Sequence, residues 1–231
     1  MQKEKKERKN QSGSMSRRRA LEILRILQKD YPDVGSELNY ENPFQLLVAT
    51  MLAAQETDRK VNEVTKALFE EYRSPEDFLK LSREDLAQRI GRIHFCRAKA
   101  GNILSMCRTL VEEFGGEVPR TREKLMKLAG VGRKTANVIL SYAYGIPAIA
   151  VDTHVHRVAH RLGLANEADV QKTELALQML IPREWWIRAH NSMVLHGRRV
   201  CTARKPKCHL CSLAHLCEQQ PGVKAGPETG K

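Results

Sequence analysis

The sequence predicts an all-α protein of about ten helices, and three observations point that way. Apolar residues recur at helical spacing through nearly the whole chain. The segments that carry them open on Ser, Thr, Asp or Asn, and two continue with Pro. Alternating apolar and polar runs of the kind that make strands are nearly absent, and the connections are short. A chain of 231 residues can form one large domain or two small ones, and no repeat of fixed period divides it.

Residues 1–15 read as a flexible basic arm. Ser16 opens the first helix, with Ala20, Leu21, Leu24 and Leu27 on one face, and the pattern stops before Tyr31-Pro32. Asn42-Pro43 opens the second in the preferred order of cap then proline. Its Phe44, Leu46, Leu47, Val48, Met51 and Leu52 make it apolar on nearly every side, which places it at the centre of a core. Thr57-Asp58 starts a helix carrying Val61, Val64, Leu68 and Phe69, and Ser74-Pro75 and Ser82 open two short ones. A longer helix over roughly 97–114 ends at Gly115-Gly116. Thr121 begins a helix that runs through Leu125, Met126 and Leu128 into Gly130-Val131-Gly132. A further helix leaves that turn with Ala136, Val138, Ile139, Leu140 and Tyr142. The apolar link 146–150 reads as buried. Beyond it come helices over about 154–162, 169–180 and 183–200.

The net charge of +12 points to a polyanionic partner. Residues 3–19 hold eight Lys/Arg against two Glu, so about half the excess lies near the N-terminus and the rest on the folded part. No apolar run reaches the length of a membrane span, and the charged N-terminus has no apolar signal core. The expected setting is intracellular.

Two glycines flanking a valine let the chain turn tightly and approach another molecule closely. The turn also presents the free N–H groups of the next helix, which favour an anion such as a DNA phosphate. Arg133 and Lys134 add positive charge at that end. The positive end of a helix favours the neutral form of an amine, and partial burial would do so further; that is the form a nucleophile needs. By itself such a turn is more often a plain helical corner. Asp152, in Val151-Asp152-Thr153-His154, sits where an N-cap would sit, and capping alone would explain it. Cys201-x6-Cys208-x2-Cys211-x5-Cys217 gathers four thiols in one window. Nothing indicates an oxidising compartment, so a metal site is favoured over disulfides. Zinc and [4Fe-4S] each accept four Cys ligands. Cys96 and Cys107 lie in helical context and read as packed thiols, and Trp185-Trp186 read as core.

Gly130-Val131-Gly132-Arg133-Lys134-Thr135-Ala136-Asn137, followed by Val151-Asp152-Thr153-His154, resembles the signature of the endonuclease III family of DNA glycosylases. That family is the iron–sulfur type of the helix–hairpin–helix–Gly/Pro–Asp superfamily. The resemblance runs over about 43–217. It implies two lobes, a six-helix domain at 36–146 and an iron–sulfur cluster domain built from 16–35 plus 147–231, with the active cleft between them. It implies that Lys134 attacks the sugar as a Schiff-base nucleophile, that Asp152 assists, and that Cys201, Cys208, Cys211 and Cys217 hold a [4Fe-4S] cluster.

The matching gap-filling residue is Gln55, and the matching apolar wedge is Phe95, in Ile93-His94-Phe95-Cys96-Arg97-Ala98-Lys99-Ala100. Gly130, Gly132 and Arg133 would grip DNA. His154 would hydrogen-bond on the pocket side, and Lys205, with Arg204 and Lys207, would meet the phosphate backbone. His94 and Cys96 depart from the family's glycine and tyrosine, and Ala129 from its proline. The implied activity is a bifunctional DNA glycosylase and AP lyase acting, as a monomer, on oxidised pyrimidines and abasic sites in duplex DNA. In a prokaryote it would work in the cytoplasm or nucleoid. The rival readings are a monofunctional mismatch or uracil glycosylase, which Lys134 argues against, and a non-catalytic DNA-binding iron–sulfur protein.

Overall fold

The computed structural model describes residues 16–32 and 35–219; the basic arm expected at 1–15 lies outside them. Among the described residues there are eleven α-helices, three short 3-10 turns and no strand. None of these helices is long and apolar enough to cross a membrane. Two compact units divide the described residues: Gly35–Ala150, and 16–32 together with 151–219.

The first helix of the Gly35–Ala150 unit, α2 (Pro43–Leu52), is its spine; α1 (Arg17–Asp30) belongs to the other unit. The Asn42 side chain accepts from the Gln45 N–H at 2.9 Å, and Pro43 occupies the first turn where its missing N–H costs nothing. Leu46, Leu47, Val48 and Leu52 are fully buried, and α2 packs against α3 (Asp58–Glu71), α6 (Cys96–Phe114) and α8 (Arg133–Tyr144). Two short helices, α4 (Pro75–Phe78) and α5 (Arg83–Arg89), each start on a capping box, Ser74 with Asp77 and Ser82 with Asp85. Phe78 is buried edge-on to Phe44, with ring centroids 5.2 Å apart. Gly115 closes α6 in a left-handed conformation, as the glycine pair predicted.

The helix expected from Thr121 into the hairpin is a single turn, α7 (Arg122–Leu125). The N–H groups of Lys127 and Leu128 reach back only three residues, to Lys124 and Leu125, and this tighter winding ends it. The unit therefore holds seven helices, of which α4 and α7 are four-residue turns, where the resemblance implied six. The apolar link stays with this unit. Buried Asn137 donates to the Ile149 carbonyl at 2.9 Å and buried Ser141 to that of Ala148 at 3.0 Å, which fastens 147–150 beside α8 instead of among the residues that follow.

The other unit contains α1 (Arg17–Asp30), α9 (Thr153–Arg161), α10 (Val170–Leu180) and α11 (Trp186–Arg199). The buried face of α1 is Ala20, Ile23, Leu24 and Leu27; Leu21 is only half-buried, because the stripe follows the i, i+3, i+4, i+7 rows. Helix α11 packs on α9 and α1. The expected helix over 183–200 opens instead with a 3-10 turn, Arg183–Trp185, after Pro182. Trp185 and Trp186 are half-buried and not core residues, and the Trp186 indole donates to the Ile181 carbonyl at 2.9 Å.

Candidate functional site

Within the Gly35–Ala150 unit the hairpin is built by sterics. Gly130 has a φ of 75°, and a Cβ there would lie 3.0 Å from Met51 Cε and 3.1 Å from Asn102 Cβ. Only glycine fits both the backbone and the space. Val131 turns inward and is buried, its N–H bonded to the Leu128 carbonyl at 3.1 Å. Gly132 caps α8 in extended conformation with no side chain to offer, which keeps the first turn of that helix open to an outside anion. Arg133 and Lys134 are its first two residues. Lys134 is exposed and not partly buried, because the second position of α8 lies opposite the face that packs on α2. Motif reading gave Asn137 no role. It is fully buried, accepts from Arg122 Nε at 2.9 Å and donates to Ile149, so it fixes α8 against both flanking segments. A polar residue inside an otherwise apolar run was its only signal.

Gln55 and Phe95 share an unusual backbone. Among the described residues they are the two non-glycines of positive φ, at 59° and 57°. Both are exposed, Phe95 to 67%. Their loops are joined. The Glu56 carboxylate accepts from the His94 N–H at 2.6 Å and lies 3.0 Å from His94 Nδ1 and 3.1 Å from Lys60 Nζ. The His94 N–H foremost holds that carboxyl below the usual glutamate range. Buried Lys99 donates to the Leu52 and Ala54 carbonyls, at 2.8 and 2.6 Å, and so satisfies the C-terminal end of α2; burial pulls its ammonium pKa down. Motif reading singled out neither Glu56 nor Lys99.

In the other unit Asp152 caps α9. Its Oδ1 accepts from the His154 and Val155 N–H groups at 2.8 and 2.9 Å, while none of these bonds uses Oδ2. His154 is half-buried. Its Nδ1 lies 3.1 Å from Arg157 Nη2, and its Cβ faces Gly197, where an added Cβ would come within 2.9 Å. Arg157 also donates to the Gly197 and Cys201 carbonyls, tying α9 to the start of the cysteine loop.

Cys201, Cys208, Cys211 and Cys217 are all half-buried. Burial raises the Cys211 thiol pKa; the nearby Leu213 N–H opposes this, and the thiols of Cys201, Cys217 and Cys208 push it up further. The other three thiols therefore lie near Cys211. Among the described residues no three His, Cys, Asp or Glu side chains gather as a single ion requires, with zinc–sulfur distances of about 2.3 Å. An iron–sulfur centre takes four Cys ligands, and this loop supplies four. Arg161 reaches the Cys201 sulfur at 3.3 Å and the carbonyls of Thr202 and Ala203, so positive charge is already at hand for thiolates. His196 Nε2 lies 3.6 Å from the Cys211 sulfur. Lys205 is exposed on this loop, its carbonyl accepting from the Thr202 hydroxyl at 2.7 Å. Cys107 stands apart: full burial pushes its thiol up to about 12, as befits a packed side chain.

Comparison with known proteins agrees with this geometry. The family described as HhH-GPD superfamily base excision DNA repair protein matches residues 48–183, and the iron–sulfur binding domain of endonuclease III matches 201–217, which holds all four cysteines. Endonuclease III of Synechocystis sp. is 49% identical over 202 residues, covering 87% of this chain and 92% of that protein. Endonuclease III of Escherichia coli K12 is 43% identical, covering 90% and 99%. A trapped endonuclease III–DNA covalent intermediate, an estranged-adenine complex, superposes with a TM-score of 0.85 at 47% identity, covering 89% of this chain and 97% of that one. A thermostable thymine-DNA glycosylase superposes with a TM-score of 0.73 at 28% identity, covering 85% and 92%. With the hairpin, the four-cysteine loop and near-complete coverage all in agreement, the chain belongs to the endonuclease III family of base excision DNA repair proteins.

Proposed function

We propose that this protein is a bifunctional DNA glycosylase and AP lyase that removes oxidised pyrimidines, of the thymine glycol type, from duplex DNA and cuts the resulting abasic strand. The observation that carries the reading is an exposed amine, Lys134, on the first turn of α8 just past the Gly130–Gly132 hairpin. It stands in a chain 47% identical to an endonuclease III trapped covalently on DNA. A monofunctional relative would need no amine there.

In this reading Gly130, Gly132 and Arg133 hold a phosphate at the open N-terminus of α8. Phe95 and Gln55 enter the stack as the damaged nucleotide leaves it. The Lys134 nitrogen lone pair bonds to C1′, and the base departs with the glycosidic electron pair and takes up a proton. The amine loses a proton and the C1′–O4′ bond opens, with O4′ taking up a proton, to give the Schiff base; this acidifies C2′, a C2′ proton leaves, and β-elimination breaks the C3′–O bond to the 3′ phosphate. Asp152, with Oδ1 committed to the cap, offers Oδ2 to the positive charge growing on the sugar or to proton transfer. His154, whose Nδ1 faces Arg157, would hydrogen-bond the substrate through Nε2. Lys205 and its basic neighbours meet phosphates on a loop whose shape the [4Fe-4S] cluster, held by Cys201, Cys208, Cys211 and Cys217, maintains when bound. The substrate is cellular DNA, so in a prokaryote the enzyme would work, as a monomer, in the cytoplasm or nucleoid.

Borohydride added to the protein with an abasic duplex is expected to trap a covalent adduct, and Lys134→Ala to abolish it. An adduct that survives the substitution assigns the nucleophile elsewhere. Running the same assay on duplexes bearing thymine glycol, uracil or a mismatch sets the substrate range.

A further inference from the structure

The two residues read above as entering the duplex are, among the described residues, the two non-glycines of positive φ. Gln55 and Phe95 hold left-handed conformations that side chains rarely adopt, and such conformations persist only where the surroundings impose them. Here the surroundings are each other's loops. The Glu56 side chain is only 4% exposed, yet it follows Gln55 directly and spends its carboxylate on His94, the residue before Phe95. From the other direction Lys99, one turn into α6, donates to the carbonyls on either side of Ala53, just before Gln55. Two charged, nearly buried side chains thus lace together loops that lie about forty residues apart in sequence. A simple surface ion pair would leave both partners exposed, and a simple helix pair with Lys60 would leave His94 untouched. The ring of His94, which stands where the family carries glycine, adds a second contact to the same carboxylate.

We propose that Glu56, with Lys99 as its counterpart, is a positioning residue that latches the Gln55 and Phe95 loops into one frame, so that the two side chains enter the duplex as a unit. This rests on the reading that Gln55 and Phe95 insert. Once one loop is seated, the other needs no ordering of its own, which is a gain from preorganisation rather than from added binding surface.

The test is a double-mutant cycle in the intact, cluster-loaded protein. Gln55→Ala, Phe95→Ala and their combination are made with Glu56 present and with Glu56→Ala. Each is mixed with a duplex carrying a tetrahydrofuran abasic analogue beside 2-aminopurine, whose fluorescence reports unstacking. With Glu56 present, the double variant should lose little more unstacking rate than the worse single variant, a coupling of about tenfold. With Glu56→Ala the single losses should multiply. Glu56→Gln keeps an acceptor for the His94 N–H and should restore most of the coupling. Equal coupling with and without Glu56 overturns the latch. Gln55→Ala and Phe95→Ala that leave unstacking unchanged overturn the insertion reading instead. Should Glu56→Ala fail to fold, as a melting curve would tell, His94→Gly removes the ring contact alone and must still lower the coupling; full coupling there rejects the latch.

Discussion

Asp152 shows how one side chain can hold two jobs. Its Oδ1 satisfies two of the N–H groups that open α9, and Oδ2 has no part in those bonds. Asparagine can keep the first task and not the second, because its amide oxygen still accepts while its charge is gone. Asp152→Asn should therefore melt close to the parent and bind undamaged duplex as tightly. Its turnover of an abasic duplex should fall by about a hundredfold or more, the scale of a lost proton-transfer group. Asp152→Ala should in addition lose about 1 kcal/mol of stability with the cap. If the asparagine variant keeps full turnover, Asp152 is a cap alone.

At the level of elements, helices begin where a short polar side chain can meet the first free N–H groups. The strongest case is α4. Asp77 accepts from the Arg73 and Ser74 N–H groups at 3.1 and 3.2 Å and from Lys80 at 2.7 Å, and these bonds, Lys80's first, lower its carboxyl from 3.8 to about 2. A carboxyl depressed in the folded state favours folding above its unfolded pKa, and that contribution fades as pH falls through the folded one. Denaturant melts should thus show a loss of stability between pH 3.8 and about 2, and Asp77→Asn should flatten it. An unchanged acid limb in that variant would mean that other carboxylates set it. Helix α8 breaks the capping rule: Gly132 offers it no side chain, and the open end faces the task proposed for it.

For the molecule as a whole, charge should govern how it meets DNA. With a net charge of +12, affinity for undamaged duplex should fall steeply as salt rises, since each phosphate neutralised releases counterions. Arg204, Lys205 and Lys207 are all exposed on the loop between Cys201 and Cys208. Replacing all three by Ala should reduce the slope of log K against log salt by about 0.9 for each phosphate left without its cation, and weaken all sequences alike. An unchanged slope would remove that loop from the DNA-binding surface.

Sequence alone sufficed for what is local. Ser16, Asn42, Thr57, Ser74, Ser82 and Thr121 each announced a helix, because a cap acts over three or four residues. The hairpin glycines and the four cysteines were equally plain, since their spacing is the chemistry. The tertiary structure decided whatever joins distant residues: the burial of Ile23 ahead of Leu21, the tether of 147–150 to Asn137 and Ser141, and the bonds from Glu56 to His94 and from Lys99 to Leu52 and Ala54. It also decided the backbone of Gln55 and Phe95, because a left-handed residue without glycine leaves no mark in composition or period. Such features exist only once the chain has closed on itself and a buried charge must find its partner across the fold.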